Sequence, residues 1–300
     1  MSHAIRFLNP LGAEELRFHS LLLSERMGDV SEGRLVALSR DRNVPVDALL
    51  GQKVSVEIET QFWGKRFHNA YVTRCEVGAR HESDTMYHLE LRPWLWFLSR
   101  TADCRVFQNQ SIVEILQTVF ADCPVSVVAN RLTQVYPARP YVVQYRESDL
   151  NFVLRLMERE GIYCFFEHTE DNHTLVLADH NGAFQTNAQA QVRYTQSGMA
   201  LKEDSLTQWH SLRRVAPTAL HTASWDYRMV DSQRASVEAD AAHDQPMALA
   251  HIDQPGAYAY ETAEQVARLA EVQLQALSNQ RKQFMGKGTV RTMAPGTTFE

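Results

Sequence analysis

The sequence predicts a mainly β fold with helical insertions, of the α+β class. Before residue 105 the chain is a series of short runs rich in β-branched and aromatic residues, separated by turn formers. Residues 139–168, RPYVVQYRESDLNFVLRLMEREGIYCFFEH, read as strand, capped helix, tight stop and strand. A single long helical pattern, residues 260–280, lies among strand-like runs in the second half.

In chain order, residues 5–8, 17–24 and 34–39 are strand candidates, punctuated by Gly28 and Gly33. Residues 46–50 read as one helical turn. Residues 53–60, KVSVEIET, alternate apolar and polar with period two and predict a half-buried strand. Residues 62–76 and 87–91 add strands, and the series predicts an antiparallel barrel or sandwich. Pro93 breaks the pattern, and Trp94, Leu95, Trp96, Phe97 and Leu98 follow as a dense apolar block. A ligand site or membrane patch would use such residues, but so does a core plug between barrel and helices. Aromatics dominate core burial, which favours the plug. Ser111 is placed to cap a helix running to about Phe120, with Ile112, Ile115, Leu116 and Val119 on its buried face.

Within residues 139–168, Val142, Val143 and Tyr145 carry strand preference. Ser148 is the expected N-cap, with Asp149 adding negative charge at the positive end of the helix dipole. Phe152, Val153, Leu156 and Met157 make the apolar face, widened by Leu150 and Leu154, while Arg155, Glu158 and Arg159 are expected outside. Gly161 stands where a left-handed C′ residue ends a helix.

Residues 165–168 and 173–177 read as a hairpin turning through Thr169, Glu170, Asp171 and Asn172. His168, Asp171, His173, Asp179 and His180 crowd there. Two His and a carboxylate can hold zinc, but the spacing matches no metal motif, and hairpin tips collect polar residues. We expect no metal site and keep a metal-binding or enzymatic barrel using the His168–His180 region as the alternative. Asn181-Gly182 marks a turn, and residues 183–206 read as loop plus edge strand. Residues 208–215 and 218–230 read as a long hairpin joined at Pro217, with 231–245 an exposed, mobile polar stretch. In residues 260–280 Val266, Leu269, Ala270, Leu274 and Leu277 form one stripe, interrupted by Gln273, with Thr262 as cap. Residues 289–293 and 297–300 read as strands. The second of these begins just before the sequence stops, which raises the expectation of a downstream part.

Little of this points to turnover chemistry. Glu158 and Glu160 are two apart on a helix and point in different directions, so both are expected in solvent. Cys75, Cys104, Cys123 and Cys164 contain no CxxC pair and read as reduced, mostly buried thiols. There is no GxSxG elbow, Walker loop, GxGxxG or EF-hand, and GKGT at 286–289 lacks the first glycine of a P-loop. No tandem repeat is visible. The 300 residues, 44% hydrophobic and 22% charged with net charge −6, are ordinary for about two domains. Basic residues are scattered, which argues against nucleic acid. No run approaches the roughly 20 apolar residues of a membrane span. The first residues, MSHAIRFLNP, have no leader-like apolar core. We therefore expect synthesis and folding in the cytoplasm, with any export through a route that needs no cleaved leader.

Two stretches carry a resemblance. Residues 144–168, QYRESDLNFVLRLMEREGIYCFFEH, and residues 87–110, YHLELRPWLWFLSRTADCRVFQNQ, resemble the VgrG spike proteins of type VI secretion, relatives of the central hub of contractile phage tails. With residues 111–122 they cover much of the first half, and the later half resembles the family more loosely. The resemblance implies two related antiparallel β-barrel domains of the phage tail hub type. It divides the chain into a first barrel over 1–104, a helical insertion with connecting strands over 105–168, and a second barrel over 169–300, incomplete at its end. It implies a homotrimer that docks on a hexameric Hcp tube, with baseplate proteins, effectors or adaptors as further partners. A PAAR-repeat tip protein would be carried through a downstream needle. It implies no catalytic residue, no cofactor and no metal, cytoplasmic assembly, and delivery by sheath contraction. A phage or phage-like contractile particle is the neighbouring alternative.

Overall fold

The computed structural model describes residues 5–60, 62–195, 203–239 and 247–300. The fold is mainly β with helical insertions, as expected. Strands β1 (Ile5–Leu8), β2 (Arg17–Ser24), β3 (Glu32–Ser39), β4 (Lys53–Glu59), β5 (Lys65–His81) and β6 (Asp84–Arg92) form one sheet in the order β1-β4-β5-β6-β3-β2. Every neighbouring pair is antiparallel. Its core gathers Phe7, Leu35, Val54, Val56, Val72 and Leu89. Strand β4 is more buried than its alternation predicts, because Ser55 and Glu57 on its other face are also covered. Ser55 Oγ donates to the Glu170 carbonyl, and Lys65 Nζ reaches Glu57 at 3.0 Å.

The second layer starts at a 3₁₀ turn, Trp94–Ser99, whose Trp94 and Leu95 are fully buried. The apolar block is therefore a plug. It packs with α1 (Ile112–Ala121) and α2 (Asp149–Glu160), and Trp94 meets Phe120 edge-to-face at 5.5 Å. Ser111 closes a full capping box with Glu114. Ser148 caps α2 by accepting from the Asn151 N–H, at 3.2 Å. Strands β7 (Ala102–Phe107) and β9 (Val142–Ser148) pair antiparallel beside these helices. Strand β8 (Val128–Arg131) runs parallel to β11 (His173–Ala178), which pairs antiparallel with β10 (Tyr163–His168).

The second half departs from the expected pairing. Strand β12 (Gln185–Thr186) pairs with β18 (Thr297–Thr298). Strand β13 (Leu206–Arg213) pairs with β17 (Lys282–Gly288), far away in sequence, and not with β14 (Ala219–Asp226). Strand β14 instead lies between β15 (Asp231–Glu238), antiparallel, and β16 (Ala250–Asp253), parallel. So the long hairpin at Pro217 does not form. The polar stretch expected to be mobile is, through Glu238, a regular strand in which Ser232, Gln233, Ala235 and Val237 are half-buried. The rest of that expectation, residues 240–245, lies outside the described residues. The strand expected at 289–293 is displaced to Lys282–Gly288. The reason is common to all three: polar strands on a partly exposed sheet carry weak hydrophobic periodicity, and their partners are chosen by helix packing. That helix is α3 (Ala263–Asn279), capped by Thr262, whose Ala270 and Leu274 cover Leu220 of β14. Among the described residues no helix is long and apolar enough to cross a membrane.

One glycine links the helices. Gly161 ends α2 at φ +73°, and a Cβ there would lie 2.9 Å from Val272 of α3. Both the left-handed backbone and the close approach exclude a side chain. Gly161→Ala is expected to lose at least about 1–2 kcal/mol from backbone strain alone, read as a lower midpoint in urea denaturation. Val272→Ala in the same chain should recover the part due to the clash and leave the backbone part.

Candidate functional site

The hairpin β10–β11 brings its candidates together selectively. Its register pairs His168 with His173, so the two side chains share a face. That face lies against β5, which β6 leaves beyond Tyr71. The backbone of Asn69 is met there by His168, whose Nδ1 lies 3.2 Å from the Asn69 nitrogen and 3.1 Å from its carbonyl oxygen. Asn69 is itself buried, and its amide donates to Ser55 Oγ at 2.7 Å and to the Glu170 carbonyl at 3.4 Å.

His173 is fully engaged. Its Nε2 accepts the Trp94 N–H at 2.8 Å, and its Nδ1 donates to Asn69 Oδ1 at 2.7 Å. This fixes the neutral tautomer. Burial, with His68 and Lys53 nearby, pulls its pKa down to about 3. A histidine with both nitrogens occupied is a structural strut and has no lone pair left for a metal.

The remaining sequence candidates go elsewhere. Asp171 is exposed at the tip. Asp179, beyond the other end of β11, accepts from the Thr133 N–H at 3.0 Å, the Gln134 N–H at 2.9 Å and the Tyr136 hydroxyl at 3.0 Å. Its side chain is 1% exposed. Burial alone would raise its pKa, but these bonds outweigh it and hold the carboxyl at about 2. His180 Nδ1 sits 3.1 Å from the same carboxylate. The five residues thus form no common site. Burial likewise pushes His168 well below the usual histidine range.

Reasoning from spacing missed two groups that His168 does meet. Glu25, just after β2, and His68 of β5 complete a cluster with it, the ligand-type atoms lying within 4.8 Å of one another. Burial works against ionisation of Glu25, yet the His68 ring and the Arg66 guanidinium hold it at about 2. The available signal was a His-Asn pair inside an otherwise ordinary strand, at 68–69. Nothing local announces Glu25.

Glu160 is the plain reversal. Expected in solvent, it is 2% exposed and is bound by both Arg139 and Arg268. Arg268 also lies over the Tyr136 ring at 5.9 Å. Helix α3 covers this end of α2, and the sequence around Glu160 holds no sign of α3. Glu158 is exposed as expected. Of the four free cysteines, Cys123 and Cys164 are buried, Cys75 is half-buried and Cys104 is exposed. Burial pushes the Cys164 thiol up to about 12, which removes it as a nucleophile.

These polar groups all join sheets or helices to one another. Residues 24–300 match the model of the family described as phage tail baseplate hub (GPD). The chain belongs to this family. It is 35% identical to the type VI secretion system spike protein VgrG1c of Pseudomonas aeruginosa, over 97% of this chain and 40% of that protein. It is 34% identical to VgrG1a of the same organism, over 97% of this chain and 45% of that one. The hub-family chain thus spans less than half the length of these curated relatives. Among solved structures, the E. coli c3393 protein has a TM-score of 0.70 at 15% identity, over 98% of this chain and 66% of that one. It is described as a component of the type VI secretion system with structural similarity to T4 bacteriophage tail proteins gp27 and gp5. The 43 kDa tail protein of prophage MuSo2 from Shewanella oneidensis has a TM-score of 0.62 at 16% identity, over 99% of this chain and 86% of that one. At these identities the likeness is one of fold.

Two outcomes follow for the buried charges of this hub-family chain. Glu160→Ala strands two guanidinium groups against buried surface and should cost about 3–5 kcal/mol by urea denaturation, while Glu158→Ala stays within about 0.5 kcal/mol. Asp179 has a folded pKa below its unfolded value. Its contribution, about 2 kcal/mol, is therefore complete above about pH 4 and lost as pH falls through about 2. Asp179→Asn should flatten the stability profile across that window.

Proposed function

We propose that this chain is the hub portion of a type VI secretion spike, a structural component that acts by assembling and not by turnover. Membership of the phage tail baseplate hub family carries the reading. Identity of 34–35% to spike proteins over nearly the whole chain favours the secretion machine over a phage particle. In this reading three copies close around an axis and seat on the hexameric Hcp tube. A downstream needle bears the PAAR-repeat tip, with effectors or adaptors carried along. The spike is assembled in the cytoplasm at the baseplate and expelled by sheath contraction.

The surface of the second half supports assembly. Among the described residues the β13–β17 ribbon has two strands, with a parallel bridge from Tyr194 to Leu206 at its end, and is largely exposed, and two strands alone are marginal in water. Trp209 and Phe284 stack on it at 5.5 Å while 43% and 51% exposed. Nearby in sequence Met285 is exposed too. Apolar area of this kind, displayed on an open ribbon, fits a surface that a neighbouring copy covers.

Sedimentation velocity on the purified protein tests this reading. A trimer is expected, and Trp209→Glu with Phe284→Lys should yield monomers whose circular dichroism is unchanged. In secreting cells the same double variant should abolish export of the tube protein. A wild-type chain that stays monomeric, together with undiminished tube export in its absence, would refute the hub assignment.

A further inference from the structure

Glu25, His68 and His168 come from three separate elements and meet at one point. Glu25 Oε1 is 3.7 Å from His68 Nδ1 and 3.7 Å from His168 Nε2. That is too long for hydrogen bonds, which need about 2.7–3.2 Å. It is close to the separation of two ligands sharing one ion, since zinc lies about 2.0–2.2 Å from nitrogen and oxygen ligands. The two imidazole nitrogens are buried and have no hydrogen-bond partner. Their side chains are 3% and 7% exposed. Leaving such atoms unsatisfied is costly, and both lie the same distance from one carboxylate oxygen.

We infer that Glu25, His68 and His168 bind a divalent transition-metal ion of the zinc type, which staples the first sheet to the β10–β11 hairpin. Two imidazoles and one carboxylate are a zinc donor set. The surrounding bonds prepare it. With Nε2 on the metal, His168 Nδ1 carries the proton and donates to the Asn69 carbonyl, 3.1 Å away, in exchange for the bond that it otherwise accepts from the Asn69 N–H at 3.2 Å. Arg66 holds the other Glu25 oxygen and leaves Oε1 as a single ligand atom. Its positive charge opposes a cation, and the three donors must outweigh it. His173 cannot be the fourth ligand, because both its nitrogens are occupied. Arg66 and His168 also line a cleft of about 400 Å³ beside the cluster.

The test uses the whole purified chain, stripped with a chelator and reloaded with Zn²⁺ or Co²⁺ alone. Native mass spectrometry should count one Zn²⁺ per chain, and Co²⁺ should give a saturable visible ligand-field band at one equivalent. X-ray absorption at the zinc edge should show two imidazoles in the shell. Zn²⁺ should raise Tm in a concentration-dependent way. His68→Asn and His168→Asn should each weaken Zn²⁺ affinity more than roughly 100-fold, beyond the effect of losing an outer partner, and His180→Asn should leave it unchanged. The wild-type stoichiometry and absorption spectrum decide the matter even where a variant fails to fold. No stoichiometric Zn²⁺ in the wild type, a shell without two imidazoles, or equal affinity in folded His68→Asn and His168→Asn variants would each overturn the inference.

Discussion

The structure turns on a single buried asparagine. Asn69 sits on the stretch of β5 that lacks a strand neighbour on the β6 side, and every polar group it has meets the hairpin or what lies beneath it. Its amide reaches β4 and the hairpin turn, its side-chain oxygen takes the His173 proton, and its backbone meets His168. His173 in turn holds the N–H of Trp94, the first residue of the apolar plug. One sheet, one hairpin and the helical layer are therefore locked by a connected set of hydrogen bonds out of water. Such a set is strong when complete and costly when broken. It also specifies one arrangement, because a shifted hairpin would leave each of these groups unpaired.

Other joins repeat the device. Glu160 with two arginines fastens α2 to α3 and to the segment before β9. Asp179 fastens the end of β11 to residues 133–136. Each buried carboxylate lies where elements distant in sequence cross. Directional polar bonds of this kind hold the crossing elements in one arrangement.

The sequence made local structure legible and left crossings hidden. Ser111, Ser148 and Thr262 announced three helix starts, and Gly161 announced a stop, because capping is settled within four residues. The buried faces of α1 and α2 followed from their spacing. Partner choice did not: β13 pairs with β17 because α3 and its turn return the chain there, which no window around residue 210 contains. The same blindness hid Glu160, read correctly as polar and wrongly as wet, and hid Glu25 and His68 beside His168. Histidine crowding at the hairpin pointed to the right neighbourhood and the wrong companions.

The meeting of Gly161 with Val272 has an evolutionary side. A side chain at 161 fits only if the valine opposite is first trimmed, and even then the turn tolerates few residues besides asparagine. The two sites cannot drift independently. Among descendants of this chain, bulk at one should appear only in a background where the other has already shrunk, so the order of substitutions is written into a single interhelical gap.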